Sequence, residues 1–439
     1  MSIQTQIDRI LANIAAAYTA AQSKGAIMPD VQDSEHLSDC ILSIQCVGVI
    51  PYLTFSSPNS FTLAVNDATK HWGGTLEYST DASTWFTWNG TTTLSSAMSG
   101  NDNVLYLRGT GNTVITGDSS NYKWILTGSD ISCIGNIENL LDYTTVKSRA
   151  HPTMASNCYR NMFNGCTSLT QAPDLPATTL ADNCYDGMFR GCTSLTKAPD
   201  LPATTLVSYC YYSMFNGCTS LTKAPDLPAT TLAERCYYSM FNGCTSLTNA
   251  PALPATTLAT SCYLNMFRGC TSLTNAPALP ATTLVRDCYG YMFYNCTSIT
   301  NAPALHATTL DTNCYEYMFY GCTSLTNAPA LPATTLAASC YKYMFSGCTS
   351  LTQVPALPAT KLENYCYLNM FQKCSKIKLS STKTGEYTIT YRIPSSGTGT
   401  TANKALSSMF TATGGTFKGE PKINTTYYLS NTNTVVPAA

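Results

Sequence analysis

Three rhythms of apolar residues follow one another along the chain. In the first segment Ile3, Ile7, Ile10, Ile14, Ala17 and Ala21 stand at alternating steps of four and three. That is the a/d seam of a heptad helix, and isoleucine at both seam positions favours trimers or higher states. The same spacing also suits an ordinary amphipathic helix packed on its own domain. Asp8 and Asn13 break the apolar run around Ile10 to Ser23, so it reads as a helix rather than a secretion signal. "SKGAIMPD" ends that helix. A second is expected from Asp33 to Ile44, capped by Asp33 or Ser34.

From Val49 to about Leu126 the period shortens to two. "YLTFSS", "FTLAV", "TLEYST", "STWFTW", "NVLYLRGT" and "TVITG" are separated by Asn, Asp, Gly and Ser turns. This spacing predicts a small β-sandwich-like domain. Trp72, Trp85, Trp88 and Trp124 fall in or beside it, and core packing is the first expectation for them; stacking on a sugar is the second. "SCIGNIENLLDYTTV", Ser132 to Val146, reads as a short helix leading onward.

The third rhythm is a repeat. "CY..MF.GCTSLT.AP.LPATTL" occurs in nine copies starting at Cys158, Cys184, Cys210, Cys236, Cys262, Cys288, Cys314, Cys340 and Cys366, 26 residues apart without insertion. A fixed period in the twenties is the signature of a leucine-rich-repeat solenoid, whose coils must stack to bury their apolar faces. On a helical wheel Cys184, Tyr185, Met188, Phe189 and Cys192 fall within an arc of about 140°. A short helix on the convex side is therefore expected, with Gly191 as its C-terminal cap. "SLTKAPDLP" is the extended piece, with Leu195, Ala198 and Leu201 inward. Stacked at ~4.8 Å, the coils make a rod roughly 40 Å long.

Composition narrows the function. Charged residues are only 11% of the chain and the net charge is −1, which excludes the basic field of a nucleic-acid binder. The four histidines, His36, His71, His151 and His306, are scattered, and no Ser-His-Asp grouping, G-x-S-x-G or P-loop occurs. No catalytic residue, metal site or cofactor is assigned. Eighteen of the 21 cysteines lie in the repeat on its buried face, eight residues apart within a copy, too far for a bond inside one copy. Reduced, buried thiols are expected. One ladder of polar positions runs Gln171, Lys197, Lys223, Asn249, Asn275, Asn301, Asn327 and Gln353, suited to binding a glycan or to bonding along the rod. Asp174, Asp200 and Asp226 begin another, with Lys197 and Lys223 placed to pair with the latter two.

Positions opposite the buried face vary from copy to copy and gather tyrosines. Tyr291, Tyr294, Tyr317, Tyr320 and Tyr343 recur in neighbouring copies. Tyrosines on a rigid frame suit a binding surface, although solvent-facing positions also drift without any role. These five are the candidate ligand-binding residues. Ile3, Ile7, Ile10 and Ile14 are the candidate oligomerisation residues.

"MFNGCTSLTQAPDLP" resembles the repeat phrase of BspA-like leucine-rich repeats, carried by Met162, Phe163, Gly165, Cys166, Ser168, Leu169 and Thr170 and their copies. The resemblance covers about half the chain, and the period is three residues longer than is usual for such repeats. It implies a surface protein of gut or oral bacteria or of their phages. "MSIQTQIDRILANIAAAYTAAQSKGA" is similar to the N-terminal helices of phage tail proteins, and Ala405 to Val436 looks like C-terminal segments of such proteins. The expected organisation is a helical attachment segment (1–47), a β-sandwich-like domain (48–131), a solenoid with its N-terminal cap (132–382) and a small C-terminal α/β capping segment (383–439). The expected protein is a non-enzymatic virion fibre or tail-associated protein, trimeric through its N-terminus. That end would meet other virion proteins, and the solenoid would meet a host glycan or protein. A secreted bacterial adhesin and a glycan-cleaving tailspike are the alternatives.

Overall fold

The computed structural model describes Ile14, Ala15 and Tyr18, then residues 50–67, 71–117 and 122–438. Ile14, Ala15 and Tyr18 are helical, and Tyr18 is fully buried. Ile3, Ile7, Ile10 and the helix expected from Asp33 to Ile44 lie outside the described residues.

Alternating residues build two facing sheets at the N-terminal end. The larger contains β1 (Leu53–Ser57), β3 (Thr75–Ser79), β4 (Phe86–Trp88), β6 (Ala97–Ser99), β7 (Asp102–Thr110) and β9 (Ile131–Ile134). The smaller contains β2 (Thr62–Val65), β5 (Leu94–Ser95) and β8 (Trp124–Thr127). Trp72, Trp88 and Trp124 fill the space between them, with Trp88 and Trp124 edge to face at 5.6 Å. Trp85 alone is half-buried, under the Arg108 guanidinium at 4.0 Å. The core reading thus fits three of the four tryptophans. The stretch Ser132 to Val146 divides: its start belongs to β9, and the helix, α1, runs Asn139–Lys147 with a kink at Asp142.

The repeats do not contain the expected helix. Asn157, Asn161 and Gly165 have φ of 61°, 55° and 79°, and Tyr209, Ser213 and Gly217 have 57°, 51° and 77°. Every fourth residue is therefore left-handed, a conformation no α-helix contains. Gly191, at φ +71°, is the third such residue of its rung rather than a helix cap. Between these residues Arg160, Met162, Asn164 and Cys166 donate their N–H to the carbonyl three residues back (2.9–3.3 Å). The intervening N–H groups of Tyr159, Asn161, Phe163 and Gly165 donate to Cys184, Asp186, Met188 and Arg190 of the next rung (2.7–2.9 Å). Half the donors close turns and half tie rung to rung, so the segment satisfies its own backbone without a helix. A four-residue period buries i, i+1, i+4, i+5 and i+8 as well as a 3.6-residue one does. The buried set is therefore as expected although the element is not.

Inside, like residues stack on like. The tyrosines from Tyr159 to Tyr367 stack at 5.6–5.9 Å in 26-residue steps. The phenylalanines from Phe163 to Phe371 form a second column, and Phe410 extends it at 5.6 Å. Such pairs contribute about 0.5–1.5 kcal/mol each beyond area burial. Leu195, Ala198 and Leu201 are buried as expected, and Gln171, Lys197, Lys223, Asn249 and Asn275 bridge one to the next in parallel.

Both ends of the stack are covered, as a solenoid requires. At the first end β9 pairs in parallel with β10 (Leu169–Gln171) of the first repeat, and Phe55 and Trp124 pack on Phe163. The β-domain thus packs directly on the first repeat and caps the stack, and one core runs from Leu53 to Leu429. At the other end the N–H groups of Tyr367, Asn369 and Phe371 donate to Ala405, Ser407 and Met409. Lys404, Ser408 and Ala412 have φ of 50°, 52° and 58°, so this piece continues the turn ladder. The last two copies supply β11 (Gln353–Pro355) and β12 (Lys378–Ser380), and the C-terminal segment adds β13 (Tyr387–Arg392), β14 (Gly414–Gly415), β15 (Thr426–Ser430) and β16 (Thr434–Val436): β16 pairs with β11, β14 and β15 with β12, and β13 with β15.

Candidate functional site: an outward grid of tyrosines

The left-handed residue in the middle of each turn segment and the residue three positions later lie on the side away from the stacked core; small residues there are buried, as at Ser213 and Ser239, whereas tyrosines reach out of the rod. In one group of neighbouring rungs both positions hold tyrosine. Tyr291, Tyr317 and Tyr343 form one row, stacked at 4.6 and 4.5 Å. Tyr294 and Tyr320 form a second, stacked at 4.7 Å. The rows lie side by side, with Tyr291–Tyr294 at 5.9 Å and Tyr317–Tyr320 at 5.6 Å. All five candidate tyrosines therefore come together in one half-buried patch.

Within each row the rings lie within 13° of parallel, so they cover one another's faces. What the rows offer is ring edges and hydroxyls. The Arg268 guanidinium lies 4.7 Å over Tyr294, and the Lys342 ammonium, paired with Glu316 at 2.8 Å, lies 5.9 Å over Tyr317. Burial, then the Glu316 carboxylate, pushes the Tyr291 hydroxyl up to about 12. Burial, then its stacked neighbours Tyr291 and Tyr343, pushes Tyr317 up as well. Both are neutral O–H donors at any physiological pH.

Three other outward tyrosines use their hydroxyls internally, whereas Tyr212, stacked on Tyr238 at 4.6 Å, does not. Tyr209 accepts from Arg235, Tyr238 from Asn265 at 3.4 Å, and Tyr365 from Asn403 at 3.1 Å. Among the described residues no group hydrogen-bonds the hydroxyls of Tyr291, Tyr294, Tyr317, Tyr320 or Tyr343. Copy-to-copy comparison finds these five, but not this difference, because the partners of the others sit on neighbouring rungs.

The polar ladder is largely self-satisfied. Asn249, Asn275 and Asn301 donate to the preceding threonine hydroxyl at 3.2 Å, and Asn327 donates to Asn301 at 2.7 Å. The expected pairing of Lys197 and Lys223 with Asp200 and Asp226 is not formed; the ion pairs in the repeats include Arg160–Asp186 and Lys361–Glu363, both 2.9 Å. The lysines and aspartates leave one exposed strand side by side, and in water such a pair gains little.

Every cysteine among the described residues is buried and unbonded to another. Cys192, Cys218 and Cys244 donate their S–H to the carbonyls of Phe163, Phe189 and Phe215, at 3.1 Å each, and later copies repeat this. Burial pushes the Cys184 and Cys218 thiols up to about 12. These are protonated packing groups, not nucleophiles. Among the described residues no group of three or more His, Cys, Asp or Glu is placed to hold a metal ion, and no helix is long and apolar enough to cross a membrane. A cleft of about 320 Å³ lies between His151–Met154 and Ala177–Leu180 of the first repeat, with Glu138 in its wall. The buried Glu138 carboxylate there accepts from His151 Nδ1 at 2.8 Å.

Stacked rungs of fixed period, inward leucines and capped ends define a leucine-rich-repeat solenoid. The model of the BspA type leucine rich repeat region (6 copies) matches residues 138–274 and 237–378. Those matches together span more than half of the 439 residues, and the chain belongs to that family. No curated protein and no solved structure matches it.

Proposed function

We propose that this is a surface-displayed, adhesion-type repeat protein, non-enzymatic, and specifically a phage virion fibre or tail-associated protein. Its solenoid of nine coils would bind a host surface. The observation that carries the binding reading is the tyrosine grid, five hydroxyls without protein partners on a rigid frame. The virion assignment is supported by the thiols. A column of protonated cysteines suits a chain that folds in a reducing cell interior, whereas secreted proteins more often oxidise theirs. In this reading Ile3, Ile7, Ile10 and Ile14 hold a homotrimer that attaches to other virion proteins, and light scattering on the full chain is the check. The second reading, a secreted bacterial adhesin, is favoured by the family itself. A glycan-cleaving tailspike needs turnover of host polysaccharide.

The test is adsorption to host cells. Changing Tyr294, Tyr317 and Tyr320 to Ser leaves the buried Cys, Met and Phe columns in place. Adsorption is expected to fall at least tenfold, about 1.4 kcal/mol. If the triple variant adsorbs like the parent, the grid is not the binding face.

A further inference from the structure

We infer that the tyrosine grid takes a linear, neutral polysaccharide laid parallel to the rod axis, held by hydroxyl-to-hydroxyl hydrogen bonds at ring edges. This rests on the adhesive reading above and names the ligand class. Three observations carry it.

The first is orientation. A sugar bound by stacking needs an open ring face; neighbouring rings at 4.5–4.7 Å close both faces of Tyr317 and one face of each of the other four, and the Arg268 guanidinium lies over Tyr294. Along the rows, then, the rings turn mainly edges and hydroxyls toward a ligand that runs parallel to the rod. An edge-on phenol remains an O–H donor and an acceptor, which suits a polyhydroxylated ligand.

The second is period. The hydroxyl rows advance by one rung at each step, and a pyranose in an extended glycan advances by about the length of one rung. A polymer can thus repeat the same contact along Tyr291, Tyr317 and Tyr343. A globular protein surface has no such period. Beyond the tyrosines the first row passes to the buried Asn265 and Asn369 and the second to Arg268 on one side and the buried Ser346 on the other, so the tyrosine hydroxyls are the repeated contact.

The third is charge. Lys342 is paired with Glu316 at 2.8 Å, and Arg286 lies 3.3 Å from Asp287. Arg268 is laid over Tyr294. The surroundings are nearly balanced, which fits a neutral glycan better than a polyanion.

The experiment uses the full chain with two probes: cello- and malto-oligosaccharides of increasing length, and neutral polysaccharide released from host cell walls. Binding is read by calorimetry. Affinity is expected to climb with chain length until the three rungs are spanned, then level off. Tyr294→Phe, Tyr317→Phe and Tyr320→Phe together keep the ring stacks and remove three hydroxyls; at least a tenfold loss is expected with an unchanged melting temperature. Retained affinity in that variant overturns the inference, as does affinity independent of length. Failure of the released polysaccharide to bind, with cell adsorption abolished by protease treatment of the host, also overturns it and leaves the adhesive reading standing on a protein receptor. Failure to bind intact cells at all overturns the adhesive reading itself.

Discussion

Replacing Ser213 and Ser239 distinguishes the turn ladder from a helix by the sign of the effect. These serines occupy the middle left-handed position of their rungs, at φ 51° and 52°, and both are buried. An L-residue pays roughly 1–2 kcal/mol for that conformation, and glycine does not. Glycine gives back about 0.4–1 kcal/mol through its larger unfolded-state entropy. Each Ser→Gly should therefore stabilise by about 0.5 kcal/mol; the two stand on adjacent rungs and can couple, so the pair should gain roughly 0.5–1 kcal/mol. In a helix interior the order reverses: Ser→Gly loses about 0.5 kcal/mol per site and Ser→Ala gains about as much. Ser→Ala is also the control within the ladder. It removes the same hydroxyl but keeps the Cβ, so the difference between the Gly and Ala variants isolates the backbone. Gly187 already fills this position in another rung at φ 59°. The assay is the urea midpoint of the double Gly and double Ala variants beside the parent. The ladder predicts Gly above Ser and Ser at or above Ala. An Ala variant more stable than the Gly variant would refute the reasoning.

Two further outcomes follow from the buried acids and thiols. Burial raises the thiols of Cys184 and Cys218 from 9.0 to about 12 and the Tyr291 hydroxyl from 10.0 to about 12. The folded state holds these protons more tightly than the unfolded state, so their contribution is full below the unfolded values and is lost as pH rises. The melting temperature should be level from neutral pH to about 9 and fall steeply between about 9 and 12; a flat profile through about pH 11 would contradict the buried thiol column. In the native protein the described cysteines should stay unreacted toward a thiol reagent, and the melting temperature should be the same with and without reductant, since no disulfide joins them. A drop of several degrees on reduction would show structural disulfides instead.

What the sequence made legible follows from how each feature is encoded. The period, the buried Cys-Tyr-Met-Phe-Cys set and the inward Leu195, Ala198 and Leu201 are written in residue type, and the structure places them as expected. The turn ladder was not legible because nine residues are too few to separate a period of four from one of 3.6. The signal that distinguishes them is Gly or Asn recurring every fourth residue, as at Asn157, Asn161 and Gly165. The continuation at Lys404 to Ala412 was hidden for another reason. Its cysteines are replaced by Ala405 and Thr413, and only the doublet Met409-Phe410 keeps the pattern of the earlier copies.

The candidate site shows the same division. Comparing copies within one chain picked out Tyr291, Tyr294, Tyr317, Tyr320 and Tyr343, because a position free to vary is one the stack does not need. It could not say which hydroxyls are free. Tyr209 loses its hydroxyl to Arg235, which is 26 residues away in sequence and one rung away in space. Tyr365 loses its own to Asn403 beyond the last full repeat. Nor could it say that the rings would close one another's faces, since that depends on the rung spacing. A stack that needs no charges and no helices leaves its outward positions to whatever the rod meets. In a solenoid any chemistry placed at one such position and repeated becomes a row. The rows here are short, neutral and made of donors that also accept. That is why the ligand argument turns on period and hydroxyls rather than on aromatic surface.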